Sequence, residues 1–312
     1  MAIIALIIAE LLEYRWHADI VRIRNYHWQQ ELYELLDAAL TGSSASSPAD
    51  FRAELPLLLC LALPLLALIL LLALISWLLG DWIVLPASVL LLLFCFGPAD
   101  LQSLYHHLRS SDQQQRQQSL RRLLEQARAN AAPDSANTTQ TLVTAMFLPA
   151  LQCWFTIIFW FIASALVAGI PAALLLVLLY RSAERRLVPD PRTSPSTSSG
   201  DAHQQHWLRQ MCWLLEWPAA RLMIGLIAIA GDFDLVQAAW REHGDEQDQG
   251  KLQHRLLLAI AGRQLDQSVR SSSVGNADAA VAIASAGHAL LQRMLMLLSS
   301  LLLALAILAW IL

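Results

Sequence analysis

The stretch of sequence at residues 213–241 reads WLLEWPAARLMIGLIAIAGDFDLVQAAWR. It is apolar enough for a membrane, yet it carries Glu216 and Arg221 inside the apolar run and Pro218 between them. Charged side chains in such a run cost several kcal/mol unless they pair or face water or protein. This stretch is therefore predicted to be the functional element around which the chain is organised.

Pro218 predicts an interruption of this helix, because proline has no backbone N–H and its ring clashes with the preceding turn. Irregular backbone at membrane depth is tolerated only where it is buried in protein or lines a cavity. We therefore expect a proline-broken helix, re-entrant or interfacial, over residues 207–231. Two interpretations of its charges stay open. Either Glu216 and Arg221 form an internal ion pair, or Arg221 binds an anionic group such as a carboxylate or phosphate.

The composition of the whole chain indicates a multi-span membrane protein. Of its 312 residues, 56% are hydrophobic and only 15% are charged, whereas soluble domains average about 25% charged. The formal net charge of -4 argues against a nucleic-acid partner. The four cysteines lie in different apolar segments without C-x-x-C spacing, so neither a metal site nor a disulfide framework is predicted.

Long apolar runs on either side of polar stretches divide the chain into seven segments. Two of them predict transmembrane hairpins, since one helix needs about 20 residues to cross the hydrocarbon core. Arginine clusters follow both hairpins, which places these ends in the cytoplasm. The segments are an N-terminal anchor with an amphipathic cytoplasmic helix (1–54), a first transmembrane hairpin (55–97), a cytoplasmic helical segment (98–141), a second transmembrane hairpin turning around residues 168–171 (142–181), a disordered linker (182–206), the proline-broken helix with cytoplasmic helices (207–289) and a C-terminal transmembrane helix (290–312).

The predicted fold is therefore all-α. It is a polytopic membrane helical bundle with two transmembrane hairpins, a proline-broken re-entrant or interfacial helix, amphipathic cytoplasmic helices and a C-terminal transmembrane helix. The sequence contains no phosphate-binding loop, nucleophile elbow or zinc-protease motif. No catalytic residue, metal ligand or cofactor is predicted.

The candidate ligand-binding residues lie in and after the central stretch. Gly231 suits the end of one helix and Asp232 the N-cap of the next, a role that is sufficient by itself. A cation or ligand role for Asp232 and Asp234 is the alternative. The candidates are Arg221, Glu216, Trp217, Pro218, Asp232, Asp234 and Arg241, with Glu13, Asp100, Tyr105 and Arg181 as secondary candidates.

The same stretch resembles a known family of membrane proteins. Residues 217–222 fit W-P-x-x-R-L, residues 228–233 fit A-x-x-G-D-F, and Trp240-Arg241 follows. This order is similar to that of the AmpE family of inner-membrane proteins, which is related to the CobD/CbiB family of cobalamin biosynthesis. Further matching pieces are Gly97-Pro98, Asp100-Leu101, Tyr105, F-x-x-x-F-W-F at residues 155–161 and Leu179-Tyr180-Arg181.

The resemblance implies a multi-pass protein of the bacterial cytoplasmic (inner) membrane with its main loops in the cytoplasm. AmpE-like proteins are regulatory or sensory modulators of β-lactamase induction and of peptidoglycan-recycling signals. The implied partners are the lipid bilayer, an anionic cell-wall fragment or nucleotide-bearing ligand, and a partner membrane or cytoplasmic protein.

Two rival functions stay open. The CobD/CbiB side of the resemblance implies a membrane amide synthase that joins an aminopropanol-type amine to a corrinoid acid. That group's histidine-serine-proline-asparagine motif is missing, and residues 271–288 read SSSVGNADAAVAIASAGH instead. A small-solute transporter would need several broken helices in related halves, whereas only one charged, proline-bearing helix is predicted. The synthase is therefore the second hypothesis and the transporter the third, and whether the chain is an enzyme stays open, with no activity the favoured answer.

Overall fold

The computed structural model describes residues 2–9, 12, 70, 74, 84–96, 138–187, 199–243, 249–270 and 279–311. The elements in these ranges are helical, with no strand among them, which confirms the all-α class for this part of the chain. Most of the first predicted hairpin lies outside the described residues. So do nearly all of the cytoplasmic segment at 98–141 and the candidates Glu13, Asp100 and Tyr105.

The described helices are numbered in chain order. They are α1 (residues 2–9), α2 (Val84–Cys95), α3 (Thr138–Ala150), α4 (Thr156–Ala168), α5 (Ile170–Leu187), α6 (Ser199–Ala230), α7 (Phe233–His243), α8 (Gln249–Arg270) and α9 (Ala279–Ile311). A π-helical turn, Leu151–Phe155, connects α3 directly to α4.

Three helical stretches are long and apolar enough to cross a membrane, namely Thr139–Ala168, Gln205–Ala230 and Val281–Leu305. Their lengths of 30, 26 and 25 residues exceed the roughly 20 residues that a bilayer core requires. The described part of the chain is therefore compatible with a multi-pass membrane protein.

The chain divides into two compact units. The first unit contains Met1–Phe96 and Ile157–Leu215, and the second contains Gly97–Thr156 and Glu216–Leu312. In the first unit, α2 packs against α5. There, Tyr180 packs with the first part of α6 in a small apolar core.

In the second unit, α3, α8 and α9 pack against one another, and α7 packs on α8. Gly287 on α9 lies close to both α3 and α8. A Cβ atom at that position would lie 3.2 Å from Met146 Cε and 3.4 Å from Leu265 Cδ1. The missing side chain thus lets α9 approach both neighbouring helices, and the apolar side chains between them form the core that supports the candidate site.

Helix α6 continues through Pro218, so the predicted break in this helix is wrong. Proline removes one hydrogen bond from the helical ladder, but burial of the following residues holds the helix together. Ala219, Ala220 and Met223 are fully buried in the second unit. Prolines inside membrane-type helices are tolerated where neighbouring elements pack on them in this way. The re-entrant or interfacial placement stays a prediction.

Two predicted boundaries also differ from the structure. The sequence assigned residues 182–206 to a disordered linker. In the structure, residues 182–187 belong to α5 and residues 199–206 belong to α6, and the part of this linker between them lies outside the described residues. Ala183 on α5 lies in the same core as Leu208 on α6. The C-terminal helix begins at Ala279 rather than at residue 290, and Ile283 and Ala284 in its early part are buried.

Helix α4 ends at Ala168 and α5 begins at Ile170. Gly169 between them has a φ of 86°, a left-handed conformation that glycine adopts without steric cost. The interruption lies within the turn predicted at residues 168–171. The transmembrane hairpin that was expected around it stays a prediction.

Candidate functional site

The second unit contains a buried carboxylate with two polar partners. Glu216 on α6 is only 3% exposed. Its Oε1 accepts a hydrogen bond from Gln152 Nε2 at 3.2 Å, and its Oε2 lies 2.9 Å from His254 Nε2. A buried carboxylate is strongly destabilising unless its oxygens are hydrogen-bonded or paired. We call Gln152, Glu216 and His254 the Glu216 cluster.

Gln152 lies in the π-helical turn Leu151–Phe155. Such turns add one residue to a helical turn and occur frequently at functional sites. Thr156 closes this turn with two bonds to the Leu151 carbonyl, one from its backbone N–H and one from its hydroxyl at 2.9 Å. The extra residue changes the direction in which the side chains of this turn project. In this arrangement the Gln152 amide reaches Glu216.

His254 extends from α8, and 27% of its side chain is exposed. Its imidazole therefore connects the buried Glu216 carboxylate with the molecular surface. A carboxylate that holds one ring nitrogen fixes the orientation of the imidazole and leaves the second nitrogen for proton exchange. The cluster has the residue types of a proton-transfer pair.

A second cluster contains Arg221, Trp217 and Trp240. The guanidinium carbon of Arg221 lies 5.3 Å from the ring centroid of Trp217 and 4.6 Å from that of Trp240. Trp217 precedes Arg221 by four positions on α6, which puts both side chains on one helix face, and Trp240 comes from α7. Cation–π contacts of this kind contribute about 0.5–1 kcal/mol each at exposed sites.

All three side chains of this Arg221 cluster reach the surface. Trp217 is 44% exposed, Trp240 is 38% exposed, and Arg221 is also exposed. A guanidinium is planar and carries its N–H donors along its edge. That edge matches the two oxygens of a carboxylate or a phosphate. The arrangement is suited to holding an anion at the surface.

The structure separates the two charges that the sequence suggested as a pair. Positions five apart on a continuous helix point about 140° apart, so Glu216 is directed inward and Arg221 outward. The sequence interpretation needed a kink at Pro218 to bring the two side chains together, whereas α6 is assigned as one helix through that residue. The structure instead brings Glu216 to Gln152 and His254.

The corner between α6 and α7 is fixed on α8. Asp232 Oδ1 accepts a hydrogen bond from the backbone N–H of Asp234 at 3.0 Å, which confirms its predicted N-cap role. The Asp232 N–H donates to Gln264 Oε1 at 3.3 Å, and Gln267 Nε2 donates to Asp232 Oδ2 at 3.4 Å. At Gly231 a Cβ atom would lie 2.5 Å from Gln264 Nε2. This corner directs α7, and with it Trp240, toward Arg221.

The remaining sequence candidates lie outside both clusters. Asp234 and Arg241 are exposed on α7, and Pro218 is half-buried between Glu216 and the Arg221 cluster. Arg181 is buried in the first unit, where it forms an ion pair with Glu184 on the same helix. Within the described ranges, no three His, Cys, Asp or Glu side chains are grouped as a metal site would require.

Sequence reasoning missed Gln152 and His254. The one available signal for Gln152 was an amide inside a long apolar run, because a buried amide needs a hydrogen-bond partner. His254 offered no comparable signal, since it lies in a polar segment with ordinary helical spacing. Trp240 appeared only as part of the Trp240-Arg241 pair, and its contact with Arg221 depends on the corner at Asp232.

No family model, curated protein or solved structure matches this chain. The resemblance to the AmpE family therefore stays a hypothesis, and the two clusters are the physical basis for assigning a function.

Proposed function

We propose that this chain is an AmpE-like inner-membrane regulatory protein, which modulates β-lactamase induction and peptidoglycan-recycling signalling by binding an anionic ligand on its cytoplasmic side. The observation that supports this best is the contact of the Arg221 guanidinium with the Trp217 and Trp240 rings, at 5.3 and 4.6 Å. An ionised side chain within a candidate membrane span is a marker of function rather than of stability.

The chemistry of the Arg221 cluster favours a particular class of ligand. A guanidinium edge binds the carboxylate or phosphate of an anionic molecule. Partly exposed indoles next to it can stack on a flat or apolar ring face of the same molecule. An anionic cell-wall fragment or a nucleotide-bearing precursor combines these two features. The apolar runs of the sequence support the lipid bilayer as a partner. The arginine-rich segments support a cytoplasmic position for the site.

Induction of β-lactamase in cells that carry variants of this chain tests the proposal. Arg221→Ala removes the positive charge and the N–H donors of the guanidinium. We expect the induced β-lactamase activity to change while the amount of this protein in the membrane stays the same. Arg221→Lys keeps the charge but loses the flat, two-pronged edge, so its effect should be intermediate. The matched control is Arg255→Ala, an exposed arginine on α8 outside both clusters. Unchanged induction with Arg221→Ala at normal protein level would remove this role.

The Glu216 cluster favours a second candidate, the CobD/CbiB-like amide synthase. Amide formation requires loss of a proton from the attacking amine, and an imidazole held by a carboxylate is a suitable acceptor. His254 Nε2 lies 2.9 Å from Glu216 Oε2. Corrinoid-dependent growth of a cobalamin synthase knockout tests this candidate. Growth with the wild-type chain but not with His254→Ala supports the synthase, and no growth with well-folded wild-type protein excludes it.

A further inference from the structure

The turn around Gly169 in the first unit is apolar on all sides. Residues 165–179 contain no polar or charged side chain. At the tip, Leu166 is 79% exposed and Val167 is 89% exposed, and Pro171 is also exposed. A turn in water would normally carry polar residues, so this composition indicates an apolar environment for the tip.

Both arms of the turn return to the same stretch of α6. Trp160 on α4 donates its indole N–H to the Leu215 carbonyl at 2.7 Å. Tyr180 on α5 packs in a core with Leu208 and Cys212. On α6, these contacts fall on successive turns. On the two arms, Trp160 lies nine residues before Gly169 and Tyr180 lies eleven residues after it. The chain therefore reverses at Gly169, and the tip extends away from these contacts.

The second arm is short compared with a bilayer. Its apolar part, residues 170–180, rises about 16 Å at 1.5 Å per residue, whereas the hydrocarbon core is about 30 Å thick. Arg181 follows at once, and Glu184, Arg185 and Arg186 come within the next two turns. Charges at this density belong at the membrane–water boundary. Measured from that boundary, the tip reaches only about half of the hydrocarbon thickness.

Both backbone groups of Gly169 at the tip are paired within the protein. In lipid, N–H and C=O groups must find partners within the protein. Gly169 donates its N–H to the Ala165 carbonyl at 3.2 Å, and its own carbonyl accepts from the Ala173 N–H at 3.1 Å. Pro171 has no N–H that needs a partner. The φ of 86° at Gly169 turns the chain within one residue, without a longer polar loop.

We propose that residues 166–171 are a lipid-inserted tip, which enters the bilayer from the side of Arg181, ends near the midplane and contacts acyl chains there. The α4–α5 segment is then a half-depth re-entrant hairpin that anchors the first unit in one leaflet. This differs from the complete transmembrane hairpin that the sequence suggested. The assignment depends on membrane residence only and is independent of the proposed role in β-lactamase induction.

Depth-dependent fluorescence quenching tests this assignment on the full chain in lipid nanodiscs. Val167→Cys is labelled with a small fluorophore in a chain that also carries Cys60→Ser, since the other native cysteines, Cys95, Cys153 and Cys212, are buried. A cysteine-free background carrying the same single cysteine provides a second sample. Nitroxide-bearing lipids report the depth, with the nitroxide either at the end of the acyl chain or on the headgroup. The water-exposed control is His206→Cys on the polar first part of α6, labelled in the same way.

We expect acyl-chain-end nitroxides to quench the Val167 label most strongly, and the His206 label to be quenched by iodide in water. Strongest quenching by headgroup nitroxides would overturn the proposal in favour of a complete span or a surface position. Quenching by iodide would place the tip in water. Protection from all three quenchers would show that protein, rather than lipid, covers the tip, which also overturns the proposal.

Discussion

Replacing Gln152 by leucine should destabilise the second unit through the Glu216 carboxylate. The substitution places an apolar side chain of similar size in the π-helical turn and removes the donor at 3.2 Å from Glu216 Oε1. Hydrogen bonds to charged groups contribute about 1.5–3 kcal/mol, and an oxygen that loses its donor in a buried site is costly. Because Glu216 is 3% exposed, water cannot readily replace the amide. We expect a loss of about 2 kcal/mol.

Removing the carboxylate as well should restore much of this loss. In Gln152→Leu/Glu216→Leu, the amide and the carboxylate are both replaced by apolar groups, and His254, which is 27% exposed, can bond to water instead. Replacing buried polar partners in this way is often close to neutral. The control is Gln140→Leu, the same change at an exposed position of α3, which should have little effect on stability.

Thermal unfolding of the purified variants in detergent measures these effects as shifts in Tm. A loss of about 2 kcal/mol lowers Tm by several degrees in a unit of this size. The reasoning is refuted if Gln152→Leu and Gln140→Leu unfold at the same temperature. It is also refuted if the double variant is as unstable as the sum of its two single variants, since the Glu216 cluster would then carry no coupling.

Three further predictions concern the stability of the second unit. Gly231→Ala should lower Tm, because a Cβ there would lie 3.0 Å from the Ile227 backbone oxygen and would displace the Gln264 amide, which accepts from the Asp232 N–H. Gly225→Ala, with nothing within 4 Å, should raise Tm slightly through helix propensity. Asp232→Ala should cost about 1 kcal/mol by removing the N-cap of α7, seen as a lower midpoint in denaturant unfolding. Thr156→Val should cost about 1 kcal/mol, because its buried hydroxyl bonds the Leu151 carbonyl; an unchanged Tm would show that the π-helical turn does not need this bond.

The sequence was most informative where the determinants are local. Long apolar runs predicted the helices that could cross a membrane, because length and composition are sufficient for that property. The N-cap at Asp232 was also predictable, since it depends on one side chain and a backbone N–H two residues later. Trp217 and Arg221 share a helix face because they are four positions apart.

Features that depend on tertiary packing were not predictable from the sequence. Pro218 would interrupt an isolated helix, but burial of the residues after it keeps α6 continuous. The partners of Glu216 come from distant positions, with Gln152 lying 64 residues earlier in the chain. A pairing of that range requires knowledge of how α3, α6 and α8 pack, and no local pattern contains it. The π-helical turn that positions Gln152 had no signature in the sequence for the same reason.

The most direct test of the proposed function is anion binding at the Arg221 cluster. The measurement is equilibrium binding of a radiolabelled muropeptide to the full chain in nanodiscs, for the wild type, Arg221→Ala and the control Arg255→Ala. We predict saturable binding by the wild type and the control, with at least a tenfold loss in Arg221→Ala, the size expected when about 1.4 kcal/mol of binding free energy is removed. Equal binding by all three proteins would contradict the role assigned to Arg221, Trp217 and Trp240.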